Sequence, residues 1–254
     1  MKLMGVDLGF SKTRETTGIA CLDGDKLYLS RAGTSSESRK AQIPAGFRPD
    51  FIAIDGPLLP RGANELVRRR CEHVFIHAPF WNRCKPGLSH WGIGLELRRA
   101  AAEACAQFSQ VLPGSTRSTH EGFVRCRGPI VEAFPNAFLG VLLPEEEFRS
   151  MPKLKRGKKF DWLYERAVET GPLKSTLSRN LELPSAVWRH LRTETDHEQR
   201  AALVCLLTAA FAAQDTAKIV GDAEGGWFWL PPLPLWQGWA SEGLSSAEKK
   251  WRPR

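Results

Sequence analysis

The chain opens on a short apolar run, Leu3 to Leu8, broken by one acid at Asp7, and Gly9-Phe10-Ser11 reads as the turn that ends it. A second apolar run, Thr17 to Leu22, and a third strand, Lys26 to Ser30, flank Asp23-Gly24-Asp25, a tight hairpin signal. This pattern predicts three antiparallel strands in a meander. Ser35 to Ala45 suits a short connecting helix, and Phe51 to Ile54 is a wholly apolar strand that stops at Asp55-Gly56-Pro57. Helical periodicity follows in Leu95 to Phe108, then a short strand at Pro129 to Val131 with Glu132 at its end. Ala201 to Ala213 is the clearest helix, with Leu203, Leu206, Leu207, Ala210 and Phe211 on or near one face. Thr195-x-x-Glu198 before it matches a capping box, and Asp196 is an alternative N-cap. A last strand and an extended proline segment are expected in GGWFWLPPLPLW.

The expected architecture is α/β: a central mixed five-stranded sheet, with strands 1–3 antiparallel and 4–5 parallel, flanked by helices. No repeat or low-complexity linker divides the chain. It reads as a single domain over 1–254 with helical insertions at about 61–128 and 145–192. The longest apolar run is too short to cross a bilayer, and Asp7 falls where a signal peptide needs its apolar region. A soluble, cytoplasmic protein with no membrane partner is the expectation.

Charge narrows the partner. The 254 residues carry 36 Lys and Arg against 28 Asp and Glu, a formal net charge of +8, and the excess is clustered. Arg68, Arg69 and Arg70 are consecutive. Lys153, Lys155, Arg156, Lys158 and Lys159 crowd one short stretch, and Lys249, Lys250, Arg252 and Arg254 close the chain. Such clusters are the footprint of a polyanion binder, so nucleic acid, DNA or RNA, is the expected partner. The six cysteines show no Cys-x-x-Cys pair and are read as free thiols. Cys71, His73, His77, Cys84 and His90 lack the paired spacing of a zinc site.

Three acids share one context, each within or at the end of an apolar strand: Asp7, Asp55 and Glu132. A fourth, Glu198 or Asp196, stands at the start of the best helix. Carboxylates at matching heights on strands about 4.8 Å apart repel one another, and the repulsion favours a proton or a divalent cation. Hard oxygen ligands suit Mg²⁺ or Mn²⁺. The expected metal ligands are Asp7, Asp55, Glu132 and Glu198, and the expected catalytic set is these four with Asp196. Lys153, Lys155, Arg156, Lys158 and Lys159 are the expected grip on flanking phosphates.

The order β-β-β-α-β-α-β-α, with acids on the first and fourth strands and at the last helix, is similar to the ribonuclease H-like fold. The segments MGVDLGFSKTRETTGIACL, FIAIDGPLL, IVEAFPNAFLG and DHEQRAALVCLLTAAFAA followed by GDAEGGWFWLPP resemble the predicted nucleases grouped as family 429 of the domains of unknown function. That resemblance implies that the first and fourth strands are neighbours, and it implies a metal-dependent nuclease using two cations. Related resolvase-like sequences place an acid-x-x-Asp pair before the final helix, whereas this chain has Glu198-x-x-Ala201. A non-catalytic nucleic-acid binder of the same fold is therefore an alternative. Asp7-x-Gly9-x-Ser11 also resembles the first phosphate loop of actin-like phosphotransferases, a third reading.

Overall fold

The computed structural model describes residues 1–9, 11, 13–59, 63, 64, 66–113, 129–155 and 157–250. The first three strands are β1 (Lys2–Asp7), β2 (Thr17–Asp23) and β3 (Lys26–Ala32). They are followed by helix α1 (Ser36–Ala41) and strand β4 (Phe51–Asp55). Helices α2 (Arg70–Ile76) and α3 (Ile93–Ser109) precede β5 (Ile130–Ala133). Next come α4 (Pro135–Gly140), α5 (Glu145–Arg149), α6 (Lys159–Glu169), a π-helical turn (Pro172–Thr176), α7 (Ser185–Thr193) and α8 (His197–Ala213). The chain then forms β6 (Lys218–Asp222), β7 (Gly226–Leu230) and α9 (Gly238–Lys250).

Among the described residues the sheet has seven strands rather than five, in the order β3-β2-β1-β4-β5-β7-β6. β1, β2 and β3 form the antiparallel meander, and β4 and β5 run parallel to β1. The extra pair is a terminal hairpin: β7 joins β5 in parallel, and β6 pairs antiparallel with β7. β7 coincides with the aromatic stretch expected to be a strand. β6, KIVGD, holds too few apolar residues to announce itself, and its place comes from pairing with β7 at the sheet edge.

Two cores cover the two faces. Met4, Val6, Ile19, Ile52, Ile54 and Ile130 pack with Ala101, Ala104 and Phe108 of α3. Leu3, Ala20, Ala53, Val131 and Ala133 pack with α8 on the other face. Successive strand residues alternate between these cores, so parity along each strand decides which way a side chain points.

α8 is buried on all sides from Ala201 to Ala212, rather than on a single stripe. The reason is the 145–192 segment. Phe160, Leu163 and Tyr164 of α6, with Val187 and Leu191 of α7, join the same core and cover the outer face of α8. This segment is basic on its surface and apolar beneath. Among the described residues no helix is long and apolar enough to cross a membrane.

Candidate active site

β1 and β4 run parallel with Asp7 and Asp55 as register partners, so the two acids end adjacent strands at one height. Both strands stop there because Gly9 follows one and Gly56-Pro57 the other, and proline cannot donate to a ladder. Asp7 has the parity of Leu3 and Gly5, and Asp55 that of Ala53, so both acids belong to the face on which α8 lies.

Two glycines bring α8 unusually close. A Cβ at Gly5 would stand 2.2 Å from the Ala202 carbonyl oxygen, and one at Gly18 would stand 1.9 Å from that of Glu198. Gly18 is the partner of Asp7 on β2, so the first turn of α8 arrives beside Asp7. Asp196 is the N-cap of α8: its carboxylate accepts from the Gln199 N–H at 3.0 Å, and it also meets Arg31 at 3.0 Å. The Thr195–Glu198 capping box is replaced by this Asp196 cap, which leaves the Glu198 side chain without a capping duty.

Electrostatics at the pair follow from this crowding. Burial, then the charges of Asp55, Glu198 and Asp196, push the Asp7 carboxyl well above its ordinary range. Burial, then Glu132, pushes Asp55 up to about 7. The arrangement favours uptake of a proton or a cation.

Glu132 has a different environment. Its register partner on β4 is Ile54, not Asp55, so it shares the parity of Ile130 and Ile54 and points away from the α8 face. Its carboxylate receives two N–H groups of Arg69, one at 2.8 Å, and the Leu58 N–H at 2.8 Å. Arg69 also bonds Glu72 at 3.3 Å and the Gly225 carbonyl, and its guanidinium lies 5.4 Å from the Phe228 ring. Glu72 in turn accepts from the Ser89 hydroxyl and N–H, and Arg98 donates to Ser89. Burial raises the Glu132 carboxyl to about 7 against the pull of Arg69. Sequence reasoning took Arg69 as part of a surface cluster. The available signal was Glu72 three residues on, and it is a weak one.

The basic segment is only partly at liberty. Lys153 and Lys155 are exposed, whereas Lys158 pairs with Asp161 at 3.0 Å and Lys159 donates to the Asn82 carbonyl at 2.7 Å. Arg156 lies outside the described residues. His197 and Asp161 are 2.7 Å apart, beside Lys158 and Arg200, in a cavity of about 480 Å³. Cys71 and Cys84 are buried in the α8-side core, and His73 stacks edge-on against His77.

Among the described residues no three His, Cys, Asp or Glu side chains are gathered tightly enough to chelate an ion alone. The donor chemistry at Asp7 and Asp55 suits Mg²⁺ or Mn²⁺ in the more open manner of Mg²⁺ sites. There one or two carboxylates hold the ion, and water and substrate phosphate complete its shell. Glu132, bound to Arg69, does not fit a ligand role in this geometry. No protein-family model, curated protein or solved structure matches the chain.

Proposed function

We propose that the protein is a divalent-metal-dependent nuclease of ribonuclease H-like fold that hydrolyses phosphodiester bonds at Asp7 and Asp55. The observation that carries this reading is the register of the two acids on adjacent parallel strands, with the first turn of α8 drawn in beside them. The adjacency of β1 and β4 supports both the fold and the resemblance to the family 429 nucleases.

Asp7 and Asp55 would hold Mg²⁺ or Mn²⁺, with Glu198 the nearest further carboxylate on α8. The bound ion would supply Lewis-acid charge at the phosphate oxygens and a more acidic water. The chain's own share is to fix two carboxylates at one height, raise their proton affinity in the ion's absence, and bar one side of the site with the α8 backbone. Lys153 and Lys155 are placed on an exposed segment suited to sequence-independent phosphate contacts. A two-cation version needs further carboxylates, and Glu132 would have to leave Arg69 to be one of them.

That engagement favours a second reading, a nucleic-acid binder that does not cut. Cleavage of labelled DNA and RNA with Mg²⁺ or Mn²⁺, with EDTA and an Asp7→Asn/Asp55→Asn double variant alongside, separates the two. Metal-dependent cutting lost in the double variant is expected. Salt-sensitive binding without cutting, unchanged in the variant, would overturn the nuclease reading and leave the binder.

A further inference from the structure

A cavity of about 650 Å³ opens beside Asp55 and Gly56 and is also lined by Glu132, Arg69 and Leu97 of α3. Its volume is that of sites which hold one small organic molecule. Lys85, Ser89 and Trp91 from the segment before α3, and Ile93 at the start of α3, also line it. Trp91 is 64% exposed and Ile93 56% exposed, although both line the cavity. Large apolar side chains are normally withdrawn from water, and here two stand at one mouth. Phe134 and Phe228 add aromatic surface farther in.

The floor is polar and already neutralised. Arg69, Glu72, Glu132 and Ser89 satisfy one another there, which disfavours a second strong charge. A planar, uncharged, hydrogen-bonding group suits such a floor better than a phosphate does. Lys85 is exposed on the lining and gives a phosphate its place toward solvent. At Gly94 a Cβ would stand 2.1 Å from the Leu88 carbonyl oxygen, so the preceding segment packs closely on the start of α3. At Gly87 and Gly92 a Cβ would meet nothing within 4 Å, so the backbone there is bare toward a ligand.

We propose that this cavity receives one unstacked base of a single-stranded nucleic acid, stacked on Trp91, with its sugar-phosphate passing Asp55. The inference rests on the nucleic-acid reading of the Asp7–Asp55 site and names its substrate class. A base held by aromatic stacking is read with little sequence preference, whereas a base paired within a duplex cannot enter.

The test is fluorescence anisotropy in EDTA, which prevents metal-dependent cutting. A labelled short single strand is compared with the same sequence as a duplex and with an abasic strand. The single strand should bind more tightly than the duplex, and Trp91→Ala should weaken it roughly tenfold, within the range measured for base–aromatic stacking. The abasic strand should bind native protein and Trp91→Ala alike. Lys85→Ala should weaken binding of every form and lower the salt slope by about one. Trp91 is exposed, so its variant is expected to keep the native circular dichroism. Equal affinity of native protein and Trp91→Ala for the single strand, or tighter binding of the duplex, would overturn the proposal. Asp7→Asn should retain the single-strand preference. Absence of metal-dependent cutting by the native protein, with that preference intact, would remove the nuclease reading alone, and cutting indifferent to Trp91→Ala and to strandedness would remove the cavity proposal alone.

Discussion

Replacing Arg69 by Met removes the guanidinium bonded directly to the Glu132 carboxylate. The Arg69 and Glu132 side chains are 0% and 4% exposed, so neither can turn to water. Glu132 would keep the Leu58 N–H and lose both guanidinium contacts, Glu72 would lose one, and the Gly225 carbonyl would be orphaned. Breaking a buried pair from one side costs about 3–5 kcal/mol. At about 2–4 °C per kcal/mol for a chain of this size, thermal unfolding at pH 7 should fall by roughly 6–20 °C. The loss should depend on pH. Without Arg69 the Glu132 pKa rises further above its unfolded value of about 4.3. A carboxyl raised in this way favours the fold below the unfolded pKa and ceases to do so as pH climbs through the folded one. The deficit against native protein should therefore be smallest near pH 4 and largest above about pH 7. Adding Glu132→Gln to Arg69→Met should recover part of the stability, since no buried charge is then stranded. Thermal and urea melts followed by circular dichroism measure all of this. A deficit under about 1 kcal/mol, or one that is flat from pH 4 to 8, would refute the buried-pair account.

Asp55→Asn should stabilise the metal-free protein at pH 8 and leave it unchanged near pH 4. The Asp55 carboxyl titrates at about 7 in the fold, and its favourable contribution is lost as pH rises through that value. The gain should be on the order of 1 kcal/mol, a fraction of the full shift because Asp7 shares the burden; melts in EDTA at both pH values read it, and a loss of stability at pH 8 would contradict it. Gly18→Ala should lower stability by at least about 1–3 kcal/mol and impair the site, because the new methyl would stand against the Glu198 carbonyl, whereas Gly87→Ala, open on all sides, should leave the melting temperature unchanged.

Much of the scaffold was legible in the chain. The Asp-Gly-Asp turn and its flanking apolar runs specify the meander, and FIAI before a Gly-Pro turn specifies β4, because these are local signals. The hairpin edge was not, since β6 is made a strand by β7 and not by its own residues. At the site, Asp7 and Asp55 were legible because a pattern of strands fixes which acids end them. Glu132 looked equivalent for the same reason. What separated it was a register known only once β4 and β5 are paired. The depth of Arg69 was likewise illegible, because three consecutive arginines look alike until one is folded inward by contacts some 60 and more residues away.

The offset of β5 against β4 makes strand phase decisive at this end of the sheet: Asp7 and Asp55 take the parity of the α8 face, Glu132 takes the opposite one and bonds Arg69, and Asp55 and Glu132 still line one cavity. A single residue inserted or removed within β5 would turn Glu132 to the parity of Asp7 and Asp55. It would add a third carboxylate to Asp7 and Asp55 and leave Arg69 facing an aliphatic side chain. Whether Glu132 stands with the two aspartates or with Arg69 thus depends on strand phase at one position, a property that a substitution at Glu132 can abolish and only a shift of the backbone can invert.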